Sequence, residues 1–96
     1  MIVLVSYDVS TTTKEGRRRL RHVAKTCVSF GQRVQYSVFE CNVGSTEWAK
    51  LKGRLLDIYN SAEDSLRFYY LGESAEKRIE HHGTKPSFDF EGPLII

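Results

Sequence analysis

Apolar positions fall in blocks whose spacing changes along the chain. Ile2 to Tyr7 is an almost unbroken apolar run rich in β-branched residues, which predicts a strand covered on both faces. It ends in a carboxylate, Asp8, and a polar connection follows, "DVSTTT". Thr12 with Glu15 three residues on has the capping-box spacing and predicts a helix start. Leu20, Val23, Ala24, Cys27 and Val28 then recur at helical spacing, with Gly31 as the predicted stop.

"QRVQYSVFECNVG" breaks the alternation. Val34, Tyr36 and Val38 share one parity, whereas Phe39, Cys41 and Val43 share the other. A regular strand cannot switch faces, so the chain bends or bulges near Ser37, or two short strands meet there. After Gly44, with Ser45 or Thr46 as cap, a second helical stripe runs through Trp48, Leu51, Leu55, Ile58 and Tyr59. "SLRFYYLG", Ser65 to Gly72, predicts an aromatic-rich strand closed by glycine. "KRIEHHG" fits a short strand or a weak helix, and "GTKPSFDFEGPLII" is a Gly/Pro-rich connection ending in an apolar run. That ending suits a strand added to a sheet edge, in this chain or a partner. The order strand, helix, split strand, helix, strand is an α+β split βαβ arrangement: an antiparallel sheet with two helices on one face.

At 96 residues the chain is expected to be one domain with a modest core, and a stabilising oligomer is plausible for a domain this small. Its 41% hydrophobic and 27% charged content is that of a soluble globular protein, and a net charge of +2 does not by itself announce a nucleic-acid binder. Cys27 and Cys41 lack metal-ligand spacing and fall on apolar positions, the pattern of reduced core thiols in a cytoplasmic protein. No apolar run approaches the ~20 residues of a membrane span. "MIVLVSYD" has neither a basic leader nor a cleavage site and reads as the first strand rather than a signal peptide.

The distribution of charge changes the picture more than its sum. Lys14, Arg18, Arg21 and Lys25 form one stripe roughly opposite the core stripe of the first helix, flanked by Arg17 and Arg19. Such a run is often only a solvated face. Four arginines between positions 17 and 21 favour phosphate contact, because guanidinium forks bind phosphate oxygens in pairs. Arg33 is a further candidate, and no base-reading motif accompanies these residues. Asp8 is either a turn residue that satisfies local amides or a ligand for a divalent cation. A lone carboxylate is thin for catalysis, but a two-fold dimer would bring two copies together. Packing accounts for Tyr7, and turn chemistry accounts for Ser10. Phe68, Tyr69 and Tyr70 lack the glycine/aromatic signature of an RNA-stacking sheet and fit core packing. His22, His81 and His82 form no recognisable metal set, and no catalytic triad, P-loop or dinucleotide fingerprint occurs.

"LVSYDVST", "GRRRLRHVAK", "GQRVQYSVFEC", "SLRFYYLG" and "GPLII" in this order resemble the CRISPR-associated Cas2 family over essentially the whole chain. The ending is similar to that of one subgroup, associated with a type I system. The resemblance implies a ferredoxin-like βαββαβ fold, with short strands near Val34–Tyr36 and Val38–Val43. It also implies a homodimer in which residues 84–96 extend onto the partner. It makes Asp8 the catalytic, magnesium-binding residue at the dimer interface. Arg17, Arg18, Arg19, Arg21 and Arg33 fall where the family places basic side chains on nucleic acid. Tyr7, Ser10, Ser37 and Phe39 are supporting residues, the last two within the "YSVF" motif.

Two functions fit. One is a magnesium-dependent endonuclease that cuts single-stranded RNA or duplex DNA. The other is a structural adaptor that bridges the Cas1 integrase and holds the spacer precursor DNA. A single acidic residue tilts the reading towards the adaptor. Outside the family, a generic ferredoxin-like interaction module or a toxin-like RNase domain is the alternative.

Overall fold

Strands and helices follow one another in the order that the apolar spacing predicts. In the computed structural model, residues 1–72 and 78–84 are described. They form β1 (Ile2–Asp8), α1 (Lys14–Val28), β2 (Gly31–Gln35), β3 (Val38–Asn42), α2 (Ser45–Ile58), β4 (Ser65–Tyr70) and β5 (Ile79–Gly83). The sheet order is β2-β3-β1-β4-β5, and every neighbouring pair is antiparallel. Its first four strands carry the ferredoxin-like order, and β5 adds to the β4 edge. "KRIEHHG" therefore supplies a strand. The predicted extension at 84–96 lies, beyond Thr84, outside the described residues, as does the "GPLII" ending.

Strict alternation along β1 sends Val3, Val5 and Tyr7 to one face, where each is fully buried. They meet Phe39 and Cys41 of β3, Leu66 and Phe68 of β4, and the apolar stripes of both helices. α1 contributes Leu20, Val23, Ala24 and Cys27; α2 contributes Trp48, Leu51 and Leu55. Trp48 sets its edge on Phe68, with ring centroids 4.9 Å apart and planes at 89°. Burying each of the larger side chains contributes about 1.5–3 kcal/mol.

Several sequence expectations change. β1 is covered by helices on one face only: Leu4 and Ser6 are half-buried, and Ile2 and Asp8 are exposed on the other. Its run of apolar residues therefore overstated how much of it one chain covers. The first helix is capped by Thr13, whose Oγ1 accepts from the Gly16 amide at 3.0 Å, rather than by Thr12. The second helix is capped by Gly44, whose amide donates to the Glu47 carboxylate at 3.1 Å, rather than by Ser45 or Thr46, because the helix already begins at Ser45. Gly31 is not the helix stop, because α1 has ended by Ser29. Gly31 instead opens β2, where an added Cβ would lie 2.0 Å from the Glu40 carbonyl oxygen. Glycine is there because β3 passes too close for a side chain.

The parity switch resolves into a hairpin. Gln35 pairs with Val38 across the two-residue turn Tyr36-Ser37, and the register shifts between Arg33 and Gln35. Neither turn residue takes a positive φ. The tight primed turns that match strand twist are therefore not used, and the bulge absorbs the mismatch.

Candidate nucleic-acid interface

Tyr7 and Asp8 are adjacent, so the end of β1 turns one side chain into the core and the other onto the helix-free face. The Tyr7 hydroxyl donates to Asp64, a fully buried carboxylate at the start of β4. Asp64 also accepts from Arg19 Nε at 2.8 Å, from Arg19 Nη2 at 3.1 Å and from the Asn60 amide at 3.0 Å. Arg19 further reaches the exposed Glu63 at 3.1 Å. A buried charge needs such partners, and Asp64 has a paired fork, a hydroxyl and an amide. Burial, reinforced by hydrogen bonding to the Asp64 carboxylate, pushes the Tyr7 hydroxyl well above its usual range. The hydrogen bond to Asp64 likewise holds the Arg19 guanidinium protonated above its usual range. Of the five candidate arginines, Arg19 is thus the one drawn into a structural ion pair, with its side chain only 17% exposed.

Asp8 pairs in register with Ser65, the residue after Asp64. It is exposed at the end of β1. Among the described residues no group of three or more His, Cys, Asp or Glu side chains could hold a metal ion. β1 therefore brings one exposed carboxylate to this edge without a cluster of three around it among the described residues. That suits magnesium, which keeps several waters and takes one or two protein carboxylates along with phosphate oxygens.

The remaining helix arginines behave as the stripe predicts. Lys14, Arg17, Arg18, Arg21 and Lys25 are all exposed on α1. Arg17 Nη1 donates to the Thr11 carbonyl at 3.0 Å, which holds one corner of the guanidinium and leaves its other N–H groups to point elsewhere. Arg17 and Arg21, one turn apart, line a groove of about 300 Å³ together with Leu20, Ala24, Arg33 and Tyr36. The fold thus brings Arg33, from the hairpin, onto the helix arginines. Arg33 Nε donates to the Tyr36 carbonyl at 2.7 Å. Its guanidinium lies 4.9 Å from the Tyr36 ring centroid and 5.4 Å from that of Phe39.

The supporting residues are structural in place. Ser10 Oγ and Thr12 Oγ1 share a hydrogen bond of 2.8 Å in the β1–α1 connection. The Ser37 carbonyl accepts from the Tyr7 amide at 3.0 Å. Phe39 is fully buried beneath Arg33. Neither Asp8 nor Arg18 lines the groove.

Sequence reasoning missed Asp64 and Tyr36. Asp64 sits in "AEDSLRF", a polar stretch with the composition of an ordinary turn, and nothing in it signals burial. Tyr36 was visible only as a parity conflict. A third cluster was also missed: Glu80 on β5 receives Lys52 Nζ at 2.6 Å, His82 Nε2 at 2.6 Å and the Tyr70 hydroxyl at 2.7 Å. Burial raises the Glu80 carboxyl, but the bonds from Lys52, His82 and Tyr70 outweigh it and hold the pKa down to about 2.

A ferredoxin-like sheet with an exposed arginine face on its first helix defines a small α+β protein. The model of the family described as "CRISPR associated protein Cas2" matches residues 1–79. A Chlorobaculum tepidum protein named "CRISPR-associated endoribonuclease Cas2" is 56% identical over 96 residues, spanning 100% of both chains. A Halalkalibacterium halodurans relative, 52% identical over 100% of both chains, is named "CRISPR-associated endonuclease Cas2". The crystal structure of Streptococcus pyogenes Cas2 aligns with a TM-score of 0.73 at 56% identity, covering 83% of this chain and 96% of that one. The chain belongs to the Cas2 family. No helix among the described residues is long and apolar enough to cross a membrane.

Proposed function

We propose that the protein acts in CRISPR adaptation as a homodimer that holds spacer precursor DNA on its basic faces and docks with the Cas1 integrase. The observation that carries this reading is the exposed arginine face of α1, continued by Arg33 across the groove. Guanidinium groups at this density neutralise successive phosphates and release counterions, which favours binding independently of sequence. The half-covered second face of the sheet, with Leu4 and Ser6 at its centre, is the surface a second copy would close.

Endonuclease activity, on single-stranded RNA or duplex DNA, rests on Asp8. A two-fold axis over the helix-free face would set two copies of Asp8 across from each other. They would hold magnesium, which supplies an activated water and charge stabilisation at the scissile phosphate. Arg17, Arg18, Arg21 and Arg33 would hold the strand in place. The names of the relatives, endoribonuclease in one case and endonuclease in another, support a nuclease reading. The single carboxylate per chain supports the purely structural adaptor.

The test separates the two. Purified protein is assayed on RNA and duplex DNA with magnesium and with EDTA, as wild type and Asp8→Ala. Metal-dependent cutting that the variant lacks establishes the nuclease. Equal cutting by both proteins, or none, leaves the adaptor. Charge reversal at Arg18 and Arg21 should abolish DNA binding and integration. Integration that persists without the basic stripe overturns the clamp.

A further inference from the structure

The groove between α1 and the β2–β3 hairpin contains more than a phosphate track requires. A surface that only follows a duplex backbone needs charge. Here the floor is apolar: Leu20 and Ala24 lie beneath the arginines, 4% and 8% exposed. The rim is aromatic. Tyr36 is 70% exposed, whereas Tyr7 and Tyr69 are buried. The Tyr36 ring is also held in place, because Arg33 ties its carbonyl through Nε and packs a guanidinium against the ring. The Arg33 guanidinium also lies 5.4 Å from the Phe39 ring centroid, so two rings and the Tyr36 carbonyl hold it in place at the groove. A rigid, solvent-facing ring beside cations is the arrangement on which single-stranded binders stack bases.

We propose that this groove seats one unpaired nucleobase, stacked on the Tyr36–Arg33 platform, with its flanking phosphates on Arg17 and Arg21. The proposal rests on the reading of α1 as a nucleic-acid face and adds the state of the strand it holds. Bases inside a duplex are already stacked and cannot enter, so the occupant is a single-stranded segment, such as an overhang or a splayed end. At about 300 Å³ the groove is at the small end of ligand pockets, suited to one base and not to a helix. Stacking accepts any base, so no sequence preference is expected.

The probe is 2-aminopurine, whose fluorescence is quenched on stacking. It is placed in a single-stranded DNA, in the matching RNA, and in the overhang of a DNA duplex, with a blunt duplex as control. Wild type should quench the probe in the overhang and in at least one single strand. The DNA and RNA arms show which backbone the flanking arginines accept. Tyr36→Ala should weaken overhang binding ~10-fold and blunt-duplex binding far less. Tyr36→Phe should retain binding, whereas Tyr36→Leu, with bulk but no π-face, should not. Thermal melting confirms that the variants fold, as expected for so exposed a position. Unquenched probe, or equal effects of Tyr36→Ala on blunt and overhang DNA, overturns the stacking site. Retained DNA binding after charge reversal at Arg18 and Arg21 would instead overturn the interface reading beneath it.

Discussion

Arg19 and Arg18 are neighbours in the same basic run, and the structure gives them different surroundings: Arg19 pairs with buried Asp64, whereas Arg18 is exposed. The decisive perturbation is Asp64→Ala. It strips the partner from three donors at once: the Arg19 fork, the Tyr7 hydroxyl and the Asn60 amide. Glu63 cannot compensate, because that arm of the pair is 60% exposed and such contacts are worth little. Breaking a buried pair from one side costs about 3–5 kcal/mol. A small domain has only about 5–15 kcal/mol of stability in total. At about 4–8 °C per kcal/mol for a domain of this size, the melting temperature should fall by ~12 °C or more. Arg18→Ala should stay within about 0.5 kcal/mol of wild type, since its side chain is exposed. The assay is thermal and urea unfolding at one fixed protein concentration, because any dimer would make stability concentration-dependent. A double-mutant cycle of Arg19→Ala with Asp64→Ala should return a coupling of about 2 kcal/mol or more. The reasoning is refuted if Asp64→Ala costs less than about 1 kcal/mol. It is equally refuted if Arg19→Ala weakens DNA binding as much as Arg18→Ala does while leaving melting unchanged.

The Glu80 cluster gives a pH dependence. Its folded pKa, about 2, lies below its ordinary value of 4.5, so it contributes stability above pH ~5 that is lost as pH falls towards 2. With solvent screening of a partly exposed group, Glu80→Gln should remove about 1 kcal/mol at pH 7 and flatten acid unfolding; an unchanged acid limb would count against the cluster. Gly31→Ala should cost about 1–3 kcal/mol by forcing β2 off β3, read as a lower urea midpoint, whereas Gly53→Ala, with open space around it, should be neutral or stabilising. For the interface, Arg21→Ala should weaken duplex binding uniformly across sequences and reduce the salt slope by about one phosphate contact.

The order of elements was legible because burial imposes a period, two on a strand and 3.6 on a helix, and both periods survive in the chain as written. The stripe from Leu20 to Cys27 and that from Trp48 to Leu55 became the two helices. The stripe Lys14, Arg18, Arg21, Lys25 was readable for the same reason, since a helix converts spacing directly into a face. Where two residues share a face but not a segment, the sequence is silent. Nothing in "AEDSLRF" says that Asp64 is buried against Tyr7 and Arg19, because contacts between residues more than forty positions apart have no local period. The same holds for Arg33 and Tyr36, whose place beside the α1 arginines depends on how the hairpin packs on the helix.

The chain alone therefore determined the antiparallel α+β arrangement with its split βαβ order and the basic helix, and it placed a carboxylate at the end of the first strand; its resemblance to the family added the ferredoxin-like class. Only the tertiary structure decided which arginine is structural, which of them share a groove, and that a tyrosine stands at its rim. The physical reason is that charge and apolarity are properties of residues. Whether a charge is spent on a buried partner or left for a ligand is a property of the distances between them.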